Sequence, residues 1–171
     1  MKKVILCGYM ASGKTTTARL LAKKLQLPYK DLDEVIENRT GKTILQLFKE
    51  DGEIKFRKLE HEVLYDIVNG TEGFVLGLGG GTPSYANNHE VLKREDILSV
   101  YLKTGISEIV NRLRLQKGTR PLIDALKDEE LDEFVGQHLF ERSYYYHHAK
   151  HVITTDGKLP EEITDEIIAL L

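Results

Sequence analysis

The chain has 171 residues, a formal net charge of −3, and 41% hydrophobic and 30% charged residues. That length suits one domain around one buried core. The charge balance excludes a basic nucleic-acid surface, and no apolar run reaches the length of a membrane span. The one cysteine, Cys7, has no partner for an internal disulfide, so it reads as a small buried hydrophobe in a cytoplasmic protein.

Taken in chain order, strand-like and helix-like segments alternate. Lys3–Cys7 (KVILC) is a first strand; its apolar run is too short for a signal peptide. Lys14–Leu25 follows as a helix, with Ala18, Leu21, Ala22 and Leu25 at helical spacing. Pro28 breaks it, and Tyr29–Leu32 reads as a short strand. Thr43–Glu50 is a short helix whose Thr43 and Gln46 fit a capping box. Glu53–Val68 is a longer one, with Phe56, Leu59, Val63 and Ile67 on one face. Phe74–Leu78 is a strand stopped by three glycines, and Ser84 caps a helix to about Lys93. Ile97–Leu102 is a strand, followed by a helix from about Ser107 to Leu115. Lys117–Glu130 is a polar, mobile excursion that holds Gly118 and Pro121. Leu131–Lys150 is helical, His151–Thr154 is the last strand, and Pro160–Leu171 is the last helix. This alternation implies βαβ units, hence an α/β fold with a central parallel sheet and helices on both faces. Polar clusters after Cys7, after Tyr29 and after Leu78 fall at strand carboxyl ends, where such folds bind ligands.

The first cluster is the most specific. Gly8-Tyr9-Met10-Ala11-Ser12-Gly13-Lys14-Thr15 fits G-x-x-x-x-G-K-[ST] between a strand and a helix. Its glycines let backbone N–H groups turn toward a polyphosphate, and the helix N-terminus adds partial positive charge. Gly8, Ala11, Ser12, Gly13, Lys14, Thr15 and Thr16 are the expected contacts of a nucleoside triphosphate. Lys14 would reach the β- and γ-phosphates and Thr15 the Mg²⁺ ion. A second Gly-Lys-Thr, at Gly41–Thr43, lacks the upstream glycine and reads as a turn and helix cap.

A small-molecule kinase also needs an acceptor site. Asp31 and Asp33 stand two apart, on the same side of an extended segment; one can reach the metal shell and the other the acceptor, and the other reading of these letters is a helix cap at Asp33 with Asp31 solvated. Arg57 and Glu60 stand three apart on one helix face, either as a paired anion anchor or as a surface ion pair. Gly79, Gly80 and Gly81 suit a ligand lying against backbone. Arg120, in the excursion, suits a lid arginine closing over the triphosphate. Arg142 is a second candidate anion anchor. His147, His148 and His151 lack a completing ligand for a metal and read as solvated.

Together these pieces resemble the shikimate kinase family, small P-loop kinases of the nucleoside monophosphate kinase type. The resemblance rests on the phosphate loop, on "DLDEVIENRTGKTILQLFKEDGEIKFRKLE" (31–60), on "GLGGGTP", on "RPLI" and on Arg142–Tyr146 as R-x-x-x-Y. It implies a three-layer αβα P-loop NTPase fold with a mobile lid over about 117–130 and an acceptor region over about 31–60. It also implies ATP and shikimate as substrates, Mg²⁺ as cofactor, and shikimate 3-phosphate as product. Charge and hydropathy give no nucleic-acid or membrane partner, and with no exposed apolar stripe evident the fold suggests a monomer. By resemblance Lys14, Asp33 and Arg120 are catalytic; Thr15 and Asp31 serve the metal. Asp33, Arg57, Gly79, Gly80, Gly81 and Arg142 bind the acceptor. Gly77 stands where many relatives carry Ser or Thr, either Arg112 or Arg114 packs on adenine, and the final loop "TTDGKLPEE" lacks the basic residue that some relatives place near adenine. A gluconate kinase would share the phosphate loop without needing the F-R-x-x-E and G-G-G pieces. A GTPase would need N-K-x-D, which is absent.

Overall fold

Five strands, β1 (Lys3–Cys7), β2 (Tyr29–Asp31), β3 (Phe74–Gly77), β4 (Leu98–Lys103) and β5 (His151–Thr154), form one parallel sheet in the order β2-β3-β1-β4-β5. The structure, a computed structural model, describes residues 1–116, 118 and 121–171. Among these the helices are α1 (Lys14–Leu25), α2 (Leu32–Thr40), α3 (Ile44–Asn69), α4 (Ile106–Leu115), α5 (Pro121–Asp124), α6 (Asp128–Tyr146) and α7 (Pro160–Ile168).

Side chains of β1 alternate between two cores. Val4 and Leu6 pack with Ala18, Leu21 and Ala22 of α1 and with Ile163 and Ile167 of α7. Ile5 and Cys7 join the other core, with Leu32 and Ile36 of α2, Phe56 and Val63 of α3, Ile109 and Leu113 of α4, and Val135 of α6. A strand covered on both faces needs no polar alternation, hence the unbroken apolar run of KVILC. The expected three-layer α/β architecture is therefore present.

The topology places the site. The chain leaving β1 runs through α1 to β2, beyond β3, whereas the chain leaving β3 crosses β1 to reach β4. Adjacent strands thus send their chains in opposite directions, and the crevice between their carboxyl ends is the position where such sheets bind ligands.

Several expectations are corrected. The strand at Tyr29 ends at Asp31, and Leu32 opens an unexpected helix, because Asp31 Oδ1 accepts from the amides of Asp33 and Glu34. Leu32 and Ile36, four apart, are its buried face. The helix expected from Ser84 to Lys93 is instead two 3-10 turns, Thr82–Ser84 and Asn88–Lys93. Ser84 Oγ caps nothing, and Ala86 and Asn87 between the turns have positive φ. Helix α6 begins at Asp128 and ends at Tyr146, earlier at both ends than expected, and α7 ends at Ile168. The two helices expected over 43–50 and 53–68 are both present within α3, separated at Gly52, whose backbone (φ 81°, ψ 168°) is not helical. The Thr43–Gln46 capping box is present.

Candidate functional site

Between β1 and α1 the glycine loop turns under tight steric control. At Gly8 (φ +149°) a Cβ would lie 2.7 Å from the Leu102 carbonyl oxygen, so no side chain fits. Helix α1 has no side-chain cap and no acidic residue in its first turn. Its first amides and its partial positive charge are thus left for an anion. Lys14 Nζ arches back over the loop and donates to the carbonyls of Gly8 and Tyr9, both at 2.7 Å. Ala11 sits in the left-handed region (φ 60°) without being glycine. That conformation costs an L-residue about 1–2 kcal/mol, offset on replacement by glycine's greater unfolded freedom of about 0.5–1 kcal/mol. Ala11→Gly is therefore expected to stabilise the protein by about 0.5–1 kcal/mol in urea unfolding. A destabilised variant would mean that the Ala11 methyl makes contacts worth more than the strain.

The loop forms one wall of a cavity of about 480 Å³. Lys14, Thr15 and Thr16 face Asp31, Asp33, Gly79 and Gly80 across it, and Arg112, Gln116, Lys158 and Pro160 line it as well. The structure therefore brings together the phosphate loop, both aspartates and two of the three glycines.

The two aspartates do not share an extended segment. Asp31 is the cap of α2, with Oδ1 on two amides and Oδ2 accepting a long 3.3 Å bond from the Tyr29 hydroxyl. Asp33 lies in the first helical turn, where a Cβ built on Gly79 would be 3.6 Å from its Oδ1. Burial, together with the negative charges of Asp31, Glu60 and Glu37, pushes its carboxyl up to about 6, against the opposing pull of Arg57. A carboxylate tuned toward neutrality and set against a glycine turn is suited to accept a proton from a bound hydroxyl.

Arg57 is no surface ion pair. Its Nη1 donates to Glu60 Oε1 at 2.9 Å, and Glu60 is 1% exposed. The other oxygen of Glu60 accepts from the Thr82 hydroxyl at 2.8 Å. Buried Asn88 continues the network, donating to the Thr82 carbonyl at 3.0 Å. Arg142 approaches from α6. A Cβ built on Gly81 would lie 3.0 Å from Arg57 Nη2 and 3.1 Å from Arg142 Nη2, so two guanidinium groups converge on that glycine. Arg57 Nε has no hydrogen-bond partner among the described residues, although Glu53 lies 3.7 Å away as an ion pair.

The two arginines of α4 part company. Arg112 donates to the Ala11 carbonyl at 3.0 Å and lines the cavity, whereas Arg114 pairs with Asp132 of α6. In the final loop, Lys158 lines the cavity while paired with Glu166 at 2.7 Å. Arg120 lies outside the described residues. A Cβ at Gly77 would have Asp31 Oδ2 as its nearest neighbour, at 4.0 Å. His147 and His148 donate Nδ1–H to carbonyls one turn back. Among the described residues no group of three His, Cys, Asp or Glu is arranged to hold a metal, and no helix is long and apolar enough to cross a membrane.

Tyr146, which ends the R-x-x-x-Y piece, is fully buried, and its hydroxyl donates to the Gly80 carbonyl at 2.5 Å, tying α6 to the glycine turn. Its place four residues after Arg142, on the same helix face, is the signal that pointed there. Thr82 and Asn88 gave no such signal.

Known proteins resemble this chain over nearly its whole length. A family model described as shikimate kinase matches residues 10–171. A shikimate kinase of Flavobacterium psychrophilum is 48% identical over 171 residues, covering 100% of this chain and 99% of the relative. The crystal structure of a shikimate kinase from Bacteroides thetaiotaomicron superposes with a TM-score of 0.90 at 34% identity, over 99% of this chain and 97% of that one. One from Acinetobacter baumannii, in complex with shikimate, gives a TM-score of 0.86 at 32% identity, over 99% and 92%.

Proposed function

The chain belongs to the shikimate kinase family, and from that premise we propose how its own residues carry the reaction. The chain is an ATP-dependent kinase that phosphorylates the 3-hydroxyl of shikimate, giving shikimate 3-phosphate and ADP in aromatic amino acid biosynthesis.

On our reading the chain is a single kinase domain. The uncapped start of α1 and the amides of Gly8, Ala11, Ser12, Gly13 and Thr16 hold the triphosphate, and Lys14 moves from the loop carbonyls to the β- and γ-phosphates. Arg112 and Lys158 line the nucleotide end, Arg112 being the residue for adenine. Thr15 and Asp31 offer two oxygen donors in one cavity, a set that fits Mg²⁺ held largely by phosphates and water. Mg²⁺ bound there would neutralise charge on the phosphates.

The observation that carries the acceptor assignment is the meeting of Arg57 and Arg142 at Gly81, beside Asp33. Two planar cations suit the one carboxylate of shikimate, and an aspartate with two backbone-only glycines suits its hydroxyls. Asp33 takes the proton as the 3-hydroxyl oxygen bonds to the γ-phosphorus and the bond from that phosphorus to the oxygen retained by ADP breaks. Arg120 and the lid over about 117–130 close over the transferring group. A monomer in the cytoplasm, with no nucleic-acid partner, completes the proposal.

The test is ADP release from MgATP with shikimate, beside gluconate, AMP and water controls. Release that depends on shikimate is expected, with Arg57→Ala raising the KM for shikimate about a hundredfold and leaving that for ATP unchanged. Equal release with gluconate, or an Arg57→Ala variant with unaltered KM, would overturn the acceptor site.

A further inference from the structure

Arg57 has aromatic rings on more than one side. Its guanidinium carbon lies 3.8 Å from the centre of the Tyr85 ring, and farther, at 5.2 and 5.7 Å, from those of Phe56 and Phe48. Only the Tyr85 ring is at stacking distance. Tyr85 does not come from the helix that carries Arg57. It follows the glycine turn, at the end of the 3-10 turn Thr82–Ser84.

The backbone goes to unusual lengths to put it there. The next two residues, Ala86 (φ 48°) and Asn87 (φ 56°), both adopt a left-handed conformation that L-residues rarely take, and neither is glycine. The strained turn is pinned from the following residue. Asn88 is buried; its amide N–H bonds the Tyr85 carbonyl at 2.9 Å, and its side chain bonds the Thr82 carbonyl at 3.0 Å and His61 at 2.7 Å. Such strain persists where the surroundings over-determine it, and its usual associate is a functional contact. The contact made here is with one face of Arg57.

We propose that Tyr85 is a positioning residue: its ring, delivered by this pinned turn, fixes the plane of the Arg57 guanidinium and so sets the affinity of the site for the acceptor's carboxylate. The proposal rests on the assignment of Arg57 to shikimate made above. Glu60 holds one nitrogen of Arg57 but leaves the group free to rotate about that bond; the ring removes this freedom. Its Nη2, which faces Gly81, then presents itself to a carboxylate already oriented, so less entropy is lost on binding.

The experiment compares wild type, Tyr85→Phe, Tyr85→Leu, and a chain with pentafluorophenylalanine at position 85, whose ring keeps its shape and inverts its quadrupole. Tyr85→Phe is expected to match wild type within about twofold. Tyr85→Leu and the fluorinated chain are expected to raise the KM for shikimate about tenfold, with kcat and the KM for ATP within about twofold. An unchanged KM for shikimate in the fluorinated chain overturns the proposal, even if Tyr85→Leu fails to fold. So does a Tyr85→Leu variant in which kcat and both KM values deteriorate together, the mark of a merely structural residue. Absence of shikimate-dependent ADP release in wild type would instead overturn the acceptor assignment itself.

Discussion

Asp33→Asn is expected to lose about 10³-fold in kcat while becoming harder to unfold at neutral pH. Both effects have one origin. Asp33 is withdrawn from water and surrounded by Asp31, Glu60 and Glu37, so its carboxyl is raised from 3.8 to about 6 in the folded protein. Below pH 4 the group is protonated whether folded or not. Between pH 4 and 6 the unfolded chain releases its proton and the folded one keeps it, so stability falls as pH rises across that window. Above pH 6 the folded protein carries a charge that its surroundings disfavour by up to about 3 kcal/mol. Asparagine removes that charge and keeps the shape. Urea unfolding should therefore find the variant equal to wild type at pH 4 and more stable by about 1–3 kcal/mol at pH 8. In wild type, kcat/KM for shikimate should fall below pH 6 as the base is protonated. Equal stability at pH 8, or an activity without that acid limb, would remove Asp33 from the role of base.

The second large effect is expected at Glu60. Both of its oxygens are committed, one to Arg57 and one to Thr82, and it is 1% exposed. Removing one partner of a buried ion pair leaves the other charge uncompensated, at about 3–5 kcal/mol. That is a large fraction of a domain's total stability. Glu60→Ala should therefore melt much earlier than wild type and raise the KM for shikimate by more than about a hundredfold, because Arg57 and the Thr82 turn lose their common anchor. Glu60→Gln keeps the shape and can still hydrogen-bond Arg57, so it should lose less on both counts. Thermal melting and KM measured on the same preparations decide the matter. A Glu60→Ala protein with near-native melting and an unchanged KM would show that Arg57 is held by its aromatic neighbours alone.

Local chemistry was legible from the sequence and distant chemistry was not. The phosphate loop reads directly because its glycines, lysine and threonine act within eight consecutive residues. Strand and helix order reads from periodicity, which is also local. Helix α2 was missed because an aspartate pair after a strand reads as extended, until Asp31 is seen to cap the amides of Asp33 and Glu34. The turn after Gly81 was misread because Ala86 and Asn87 adopt positive φ without glycine to announce it. The Arg57–Glu60–Thr82–Asn88 network joins residues up to 31 positions apart, and only the fold brings them together. Arg112 and Arg114 are two apart, so they project from different faces of α4, and spacing alone offers no means of choosing the inward one.

Cys7, the chain's one cysteine, is fully buried at the end of β1, and burial pushes its thiol up to about 12. At any working pH it is a protonated thiol sealed beneath the phosphate loop, not a nucleophile. For labelling chemistry the natural sequence is therefore already a silent background. A single cysteine placed on the exposed face of α2 would be the one site a maleimide dye reaches, and acceptor binding could be followed by fluorescence without first stripping the protein of its own sulfur.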